Sequence, residues 1–387
     1  MRTLKDQAAI VGVGATEFSK NSGRSELQLA AECVRNALDD CGLKPSDVDG
    51  MTTFTLDTSD DIEVARAVGI GDLTLFSRVP HGGGAATGLL HQAAMAIATG
   101  VAKVVVCYRA LNGRSGQRYS EGVGGTVTTS DLIHWGWYIP YGLLTPASWV
   151  AMFTQRYMHD YGATSEDLAQ VAVSTRKHAV TNPNAFFYGK PLTVEDHQSS
   201  RWIVEPLHLF DCCQETDGGC AVVVTTPERA RDLKQPPAII RAGAMAAGSH
   251  HIRLSTLFAR DWEAESPVRA ARQLFAMAEC APADIDVAFF YDFFTSLVIN
   301  ALEQYGFAPP GQGGPFVENG GIEWGKGRLP CNTNGGQLSE AFIHGFNNTI
   351  EAVRQIRGTS TSQVEGCQLA FVAGGNTDPT GAILLRA

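Results

Sequence analysis

No C-x-x-C pair occurs in this chain, although it holds nine cysteines, at 33, 41, 107, 212, 213, 220, 280, 331 and 367. The adjacent Cys212-Cys213 pair is poor geometry for one tetrahedral zinc, so no metal is expected in this chain. An odd count of cysteines, behind an N-terminus (Met1 to Gln7) with no apolar leader, predicts reduced thiols and a cytoplasmic protein. Positive charge is also scarce: 30 Lys and Arg stand against 40 Asp and Glu, a formal net charge of -10. With the basic residues dispersed, a nucleic-acid partner is excluded. The apolar stretch from Ala93 is broken by Gly100 and Lys103, which leaves it too short to cross a bilayer. No Gly-Lys-Ser/Thr follows any glycine cluster, which excludes a P-loop. The cluster His81 to Gly88 lacks the spacing and the following acid of a dinucleotide site.

What is present is a globular, enzyme-like composition: 44% hydrophobic, 18% charged and 41 glycines in 387 residues. The length predicts two to three domains, and an internal repeat narrows this. Leu27 to Leu43 has helical apolar spacing. A Lys-Pro-Ser-Asp turn, then Val48-Asp49, and an extended run, Met51 to Thr55, follow it. Val268 to Cys280 repeats the pattern, with Ala-Pro-Ala-Asp, then Ile285-Asp286, and the run Val287 to Tyr291. Thr87 to Gly100 reads as a helix and Lys103 to Cys107 as a buried strand. In the second half, Ser339 to Arg357 reads as a helix and Gln368 to Gly374 as a strand, closed by a return over Gly381 to Arg386. Ala8 to Gly14 is a further strand. Continuous apolar strands alternating with helices predict parallel or mixed sheets covered on both faces. The predicted units are 1–235 and 236–387. Residues between roughly 110 and 235 have no clear counterpart in the second half, and a loop insertion is placed at about 110–220. One helix is expected there, from Ser165 as N-cap to Lys177.

Three glycine clusters border these elements: His81 to Gly88, Asn332-Thr-Asn-Gly-Gly336 and Ala373-Gly-Gly375. Glycines at a helix start let backbone N–H groups approach an oxyanion, a thioester carbonyl or a phosphate. Tight packing through small residues is the competing explanation.

The order of the halves, the opening Ala9-Ile-Val-Gly-Val-Gly-Ala-Thr-Glu-Phe18 and the Asn332 to Gly336 loop resemble the thiolase superfamily, in its sterol-carrier-protein type. The resemblance covers nearly the whole chain. It implies an α/β thiolase fold, with duplicated halves giving a layered αβαβα body and an inserted loop region. It also exposes a gap in the chemistry. The nucleophilic cysteine of a thiolase falls on Gly83, the second cysteine near Val372, the histidine after Asn-x-x-Gly-Gly on Phe342, and the fourth-motif Asn or His on Tyr291. Covalent catalysis by cysteine is therefore not expected.

Within that superfamily the chain resembles the steroid side-chain-cleaving aldolases. The residues that carry this are His81-Gly-Gly-Gly, Cys107-Tyr-Arg-Ala-Leu-Asn-Gly-Arg-Ser-Gly-Gln-Arg118, Phe290-Tyr-Asp-Phe-Phe-Thr295 and Asn332-Thr-Asn-Gly-Gly-Gln-Leu-Ser-Glu-Ala341. The resemblance implies retro-aldol cleavage of a β-hydroxy acyl-CoA, with CoA as part of the substrate and no separate cofactor. It also implies a homodimer joined by a small OB-fold, zinc-ribbon protein into a heterotetramer. Tyr291 corresponds to a tyrosine implicated in catalysis. A second tyrosine usual in that branch is Phe342 here, and His344 is the nearest titratable residue to replace it, although on a helix it would point about 200° away from residue 342.

For Tyr291 to act as a base, its pKa must fall about three units from ~10, roughly 4 kcal/mol of preferential phenolate stabilisation. Asp292 is a catalytic candidate whose other reading is a structural hydrogen bond. His81, Gly83, Gly335, Gly336 and Phe342 are expected to line the substrate pocket. Arg109, Arg114 and Arg118 form a local basic loop that suits CoA phosphates or a neighbouring subunit. The segment Asp211 to Gly219 is read as packing near the cleft. Two other functions compete: a condensing enzyme or acyltransferase with relocated residues, and a non-catalytic acyl-CoA binder.

Overall fold

In a computed structural model, which describes residues 4–80, 83–122, 135–248, 265–374 and 378–387, the chain builds one nine-stranded sheet. Its strands are β1 (Ala8–Ala15), β2 (Gly50–Phe54), β3 (Leu75–Val79), β4 (Val104–Asn112), β7 (Asp217–Thr225), β8 (Ala238–Ala246), β9 (Val287–Phe290), β10 (Leu369–Ala373) and β11 (Thr380–Arg386). A two-stranded ribbon, β5 (Trp202–Val204) with β6 (Leu207–His208), stands apart. The order in the large sheet is β3-β2-β4-β7-β1-β8-β11-β10-β9. β4 runs parallel to β2 and antiparallel to β7, and β7 runs antiparallel to β1. Across the middle, β10 is parallel to β9 and antiparallel to β11, and β11 is antiparallel to β8. The two arrangements mirror one another about the β1–β8 pair.

The repeated aspartates explain the repeated strands. Asp49 accepts hydrogen bonds from the backbone N–H groups of Lys103, at 2.9 Å, and Val104, at 2.8 Å. Asp286 accepts from Gln368 and Leu369, both at 2.8 Å. Each carboxylate therefore pins the start of the strand parallel to its own, a long-range contact encoded by a single residue. Helix Glu26–Cys41 lies on β1, β7 and β4, and helix Ser266–Ala278 lies on β8 and β11. The first is closed by a Ser25/Gln28 capping box and a left-handed Gly42. Helix Ala86–Thr99 touches strands of both halves. Alternate residues of β4 face it (Val105, Cys107) and the Glu26–Cys41 helix (Val104, Val106), as strand periodicity requires.

Three sequence expectations are corrected. β7 lies inside the stretch read as lacking a counterpart, yet it occupies in its half the place β11 holds in the other. The insertion helix runs Ser165–Thr181 and is capped one residue earlier, by Thr164, whose Oγ1 accepts from the Asp167 N–H. The helix expected from Ser339 begins only at Phe346. Gly336–Glu340 forms a wide turn with Ala341 extended after it, and His344 (φ 51°) and Gly345 (φ 79°) adopt left-handed backbone. A helix cannot pass through two such residues.

Candidate active site

Strand β9 delivers the site. Asn332 clamps its end: the Phe290 N–H donates to Asn332 Oδ1 at 2.9 Å, and Asn332 Nδ2 donates to the Phe290 carbonyl at 3.0 Å. Tyr291 is the next residue and is 6% exposed. A Cβ placed on Gly83 would lie 2.0 Å from Tyr291 Cζ, the carbon that carries the hydroxyl. The phenol thus fills the space that any side chain at position 83 would need. That space is at the leading end of helix Ala86–Thr99, where first-turn N–H groups and the helix dipole favour negative charge.

The loop opposite is held by buried polar groups. Asp292 accepts from the Gln337 N–H at 2.8 Å and the Leu338 N–H at 3.3 Å. A Cβ on Gly336 would lie 2.0 Å from Asp292 Oδ2, so only glycine fits there. Gln337 Oε1 accepts from the Ile343 and Gly345 N–H groups, both at 3.0 Å, and closes the 337–345 segment on itself. Glu340 accepts from Asn182 at 3.0 Å and Asn347 at 2.8 Å. Burial raises the Asp292 carboxyl to about 6 against the pull of its backbone donors, and raises Glu340 to about 7. The geometry of Asp292 is that of a loop clamp; it positions residues 337 and 338.

With the 341–345 run off any helix, Phe342 and His344 come together, their ring centroids 4.9 Å apart. Phe342 stacks toward Tyr291 at 6.4 Å. His344 Nδ1 accepts from Arg109 Nε at 3.1 Å. Arg109 in turn is paired with Asp57 at 2.9 Å, both groups buried. Burial, assisted by the Arg109 charge, drives the His344 pKa well below the usual histidine range, so the imidazole is neutral. Burial likewise raises Tyr291 well above its ordinary value. The fall toward neutrality that a phenolate base requires is therefore not found: the site holds a protonated phenol and a neutral imidazole, both against the Phe342 ring.

Of the residues singled out from the sequence, Tyr291 lies against Gly83 and Phe342, and His344 joins them through Phe342. Gly335 and Gly336 lie behind it in the clamp, and His81 falls outside the described residues. Arg109, Arg114 and Arg118 do not act together: Arg109 is buried in the site, Arg118 pairs with Glu215 and Glu121 on the surface, and the Arg114 backbone donates to Asp217. The segment from Asp211 does pack beside the cleft, through the Cys213 N–H to Phe293 carbonyl bond at 3.0 Å. Sequence reasoning passed over Asp57 and Tyr119. The Tyr119 ring lies 6.2 Å from Phe342 and 5.8 Å from His344, bringing a second phenol to the site. Its position directly after the Cys107 to Arg118 motif was the available signal. All nine thiols are pushed above their ordinary pKa by burial, the opposite of what a cysteine nucleophile needs. Among the described residues no three His, Cys, Asp or Glu side chains gather as a metal site, and no helix is long and apolar enough to cross a membrane.

Sheet order, duplicated halves and a glycine in place of a nucleophile define a thiolase-fold protein, and a thiolase C-terminal domain-like family model matches residues 247–383. The chain belongs to the steroid side-chain-cleaving aldolases of the thiolase superfamily. It is 55% identical over 390 residues to the steroid side-chain-cleaving aldolase of Thermomonospora curvata, across the full length of both chains. It is 52% identical over 385 residues to the 17-hydroxy-3-oxo-4-pregnene-20-carboxyl-CoA lyase of Mycobacterium tuberculosis, covering 99% of this chain and 100% of that one. The solved Ltp2-ChsH2(DUF35) aldolase superposes with a TM-score of 0.93 at 54% identity, covering 100% of this chain and 99% of that one.

Proposed function

We propose that the chain cleaves a β-hydroxy acyl-CoA carrying a steroid-type side chain by a retro-aldol reaction, releasing a short acyl-CoA and a ketone or aldehyde. The observation that carries this reading is the Tyr291 phenol standing in the space of position 83, at the end of a helix that favours negative charge. The β-hydroxyl loses its proton, and its oxygen becomes the new carbonyl. The bond between the α and β carbons breaks, and its electron pair passes into the thioester as an enolate. The α carbon then takes up a proton. A phenol held protonated by burial performs this as a relay: its oxygen accepts the hydroxyl proton while its own proton passes to the α carbon. A hydroxyl is both donor and acceptor, so no free phenolate is needed. His344 serves as a neutral donor to the enolate oxygen, and Phe342 and Gly83 shape the pocket around the breaking bond. Asp292, Gly335 and Gly336 hold the loop that presents them.

The similarity to the Ltp2-ChsH2(DUF35) aldolase supports a heteromeric partner, which we take to be a small OB-fold, zinc-ribbon protein joining a homodimer of this chain into a heterotetramer. Nine unpaired cysteines support a reducing, cytoplasmic setting. No cofactor beyond the CoA of the substrate enters the scheme. The test is Tyr291→Phe in the complex with the partner. Turnover should fall by about 10³-fold, within the range of general acid–base catalysis, while acyl-CoA binding and folding persist. Retained turnover would remove Tyr291 from the chemistry, and equal activity of the chain without any partner would remove the heterotetramer.

A further inference from the structure

We propose that the buried Asp57–Arg109 pair exists to fix His344 as the tautomer with hydrogen on Nε2, so that its free edge donates to the thioester oxygen as the enolate forms. The second clause rests on the reaction proposed above; the first stands on geometry alone.

A guanidinium has donors only and keeps its charge. The 3.1 Å contact from Arg109 Nε therefore obliges His344 Nδ1 to be a bare acceptor. The neutral ring must then carry its hydrogen on Nε2, and a doubly protonated ring would set N–H against N–H. Nε2 has no hydrogen-bond partner among the described residues, while the ring is enclosed by Phe54, Tyr119 and Phe342 at centroid distances of 6.3, 5.8 and 4.9 Å. Nε2 is thus the donor the ring can offer to a ligand bound beside Phe342, which itself stacks toward Tyr291.

The support behind Arg109 exceeds what a simple ion pair needs. Besides the guanidinium, the Asp57 carboxylate accepts from Thr53 Oγ1 at 3.2 Å, the Ser59 N–H at 3.0 Å, Ser59 Oγ at 2.5 Å and the Ala110 N–H at 3.3 Å. β2, its following loop and β4 thus all hold one carboxylate, and Arg109 is further tied to the Ala110 carbonyl at 2.7 Å. At the other end, His344 is held in a left-handed backbone conformation (φ 51°), uncommon for any residue other than glycine. The charged and titratable groups around the ring are Arg109 on β4, Asp57 after β2, Tyr119, Tyr291 after β9 and, beyond Arg109, Glu26 on the first helix. Arg109 and Asp57 touch no reacting atom in this scheme and are positioning residues.

The test reads the tautomer directly. In full-length chain with 15N-labelled imidazoles, the His344 signals (assigned by their loss in His344→Gln) should show a protonated Nε2 and a bare Nδ1, unchanged between about pH 5 and 8, where an ordinary histidine titrates. The opposite tautomer, or titration to the cation in that range, overturns the proposal. Arg109→Met should free Nδ1 to carry the hydrogen, give a mixture of the two neutral tautomers in the 15N spectrum and lower kcat by about 10²-fold, the loss typical of a removed oxyanion donor, with KM little changed. If that variant does not fold, the wild-type spectrum decides alone. His344→Gln, which keeps a donor near Nε2, should retain about tenfold more activity than His344→Asn, which has none there; equal losses overturn the donor role. A wild-type complex that fails to cleave the acyl-CoA would overturn the proposed function instead and leave the tautomer result standing.

Discussion

The two halves of the sheet are most alike at their outer ends and least alike where they face each other across the site. At the outer ends, Asp49 and Asp286 hold neighbouring strands through the same backbone contacts, and both follow a short turn begun by proline. At the inner ends, the loop leaving β2 buries Asp57 in an ion pair, while β9 presents Tyr291 to the cleft. A duplicated scaffold has kept its pairing residues and changed its loops. Strand pairing needs one geometry in both halves, whereas one reaction needs different groups on its two sides.

That contrast is broken most severely at position 83. Gly83→Cys, which restores a thiolase-like nucleophile to the first half, drives a Cβ to within 2.0 Å of Tyr291 Cζ. The ring must leave, so lyase turnover should fall by about 10³-fold, and mass spectrometry should find no acyl-enzyme. An acyl-cysteine would show that the older chemistry is still available.

The loop of the second half should reveal itself through pH. Glu340 is raised to about 7 in the fold and returns to ~4.3 when unfolded. Its neutral form is the one the fold favours, so its contribution is complete below the unfolded value and is lost as pH rises through 7. The loss is on the order of 3 kcal/mol. Asp292, raised to about 6, adds in the same direction. Urea midpoints for the wild type should therefore decline from pH 5 to pH 8, and Glu340→Gln should flatten the decline. An unchanged slope would place the titrating group elsewhere.

The outer ends offer a test of equivalence. Asp49→Ala and Asp286→Ala each remove at least two hydrogen bonds from backbone N–H groups to a carboxylate, and should each cost about 2 kcal/mol. Denaturation midpoints that differ strongly would show that the two hinges, though alike in geometry, carry different loads. The smallest effect is expected at Phe342. Phe342→Tyr supplies a hydroxyl 6.4 Å in ring distance from Tyr291 and should raise kcat by less than about tenfold, within 1.4 kcal/mol.

The strands, the flanking helices and the repeat were legible because each rests on local periodicity or on a residue type with one strong use, such as aspartate before a strand. Tyr291 and Gly83 were legible by resemblance, but their contact was not. Helical spacing over Ser339 to Arg357 misled, because Gln337 and two left-handed residues override it through contacts the local pattern does not contain. Arg109 stood out as part of a charged loop, yet its partner Asp57 lies on another strand's loop, 52 positions earlier in the chain.

By itself, the amino-acid sequence determined the duplicated α/β framework and the absence of a cysteine where thiolase chemistry would need one. Both follow from near-neighbour patterning and residue identity. Tertiary structure decided that Tyr291 occupies the vacated space, that it stays protonated there, and that His344 lies against Phe342 as a neutral imidazole. Those properties depend on burial and on charges brought together from distant strands, and desolvation is a property of the folded surroundings, not of the residue.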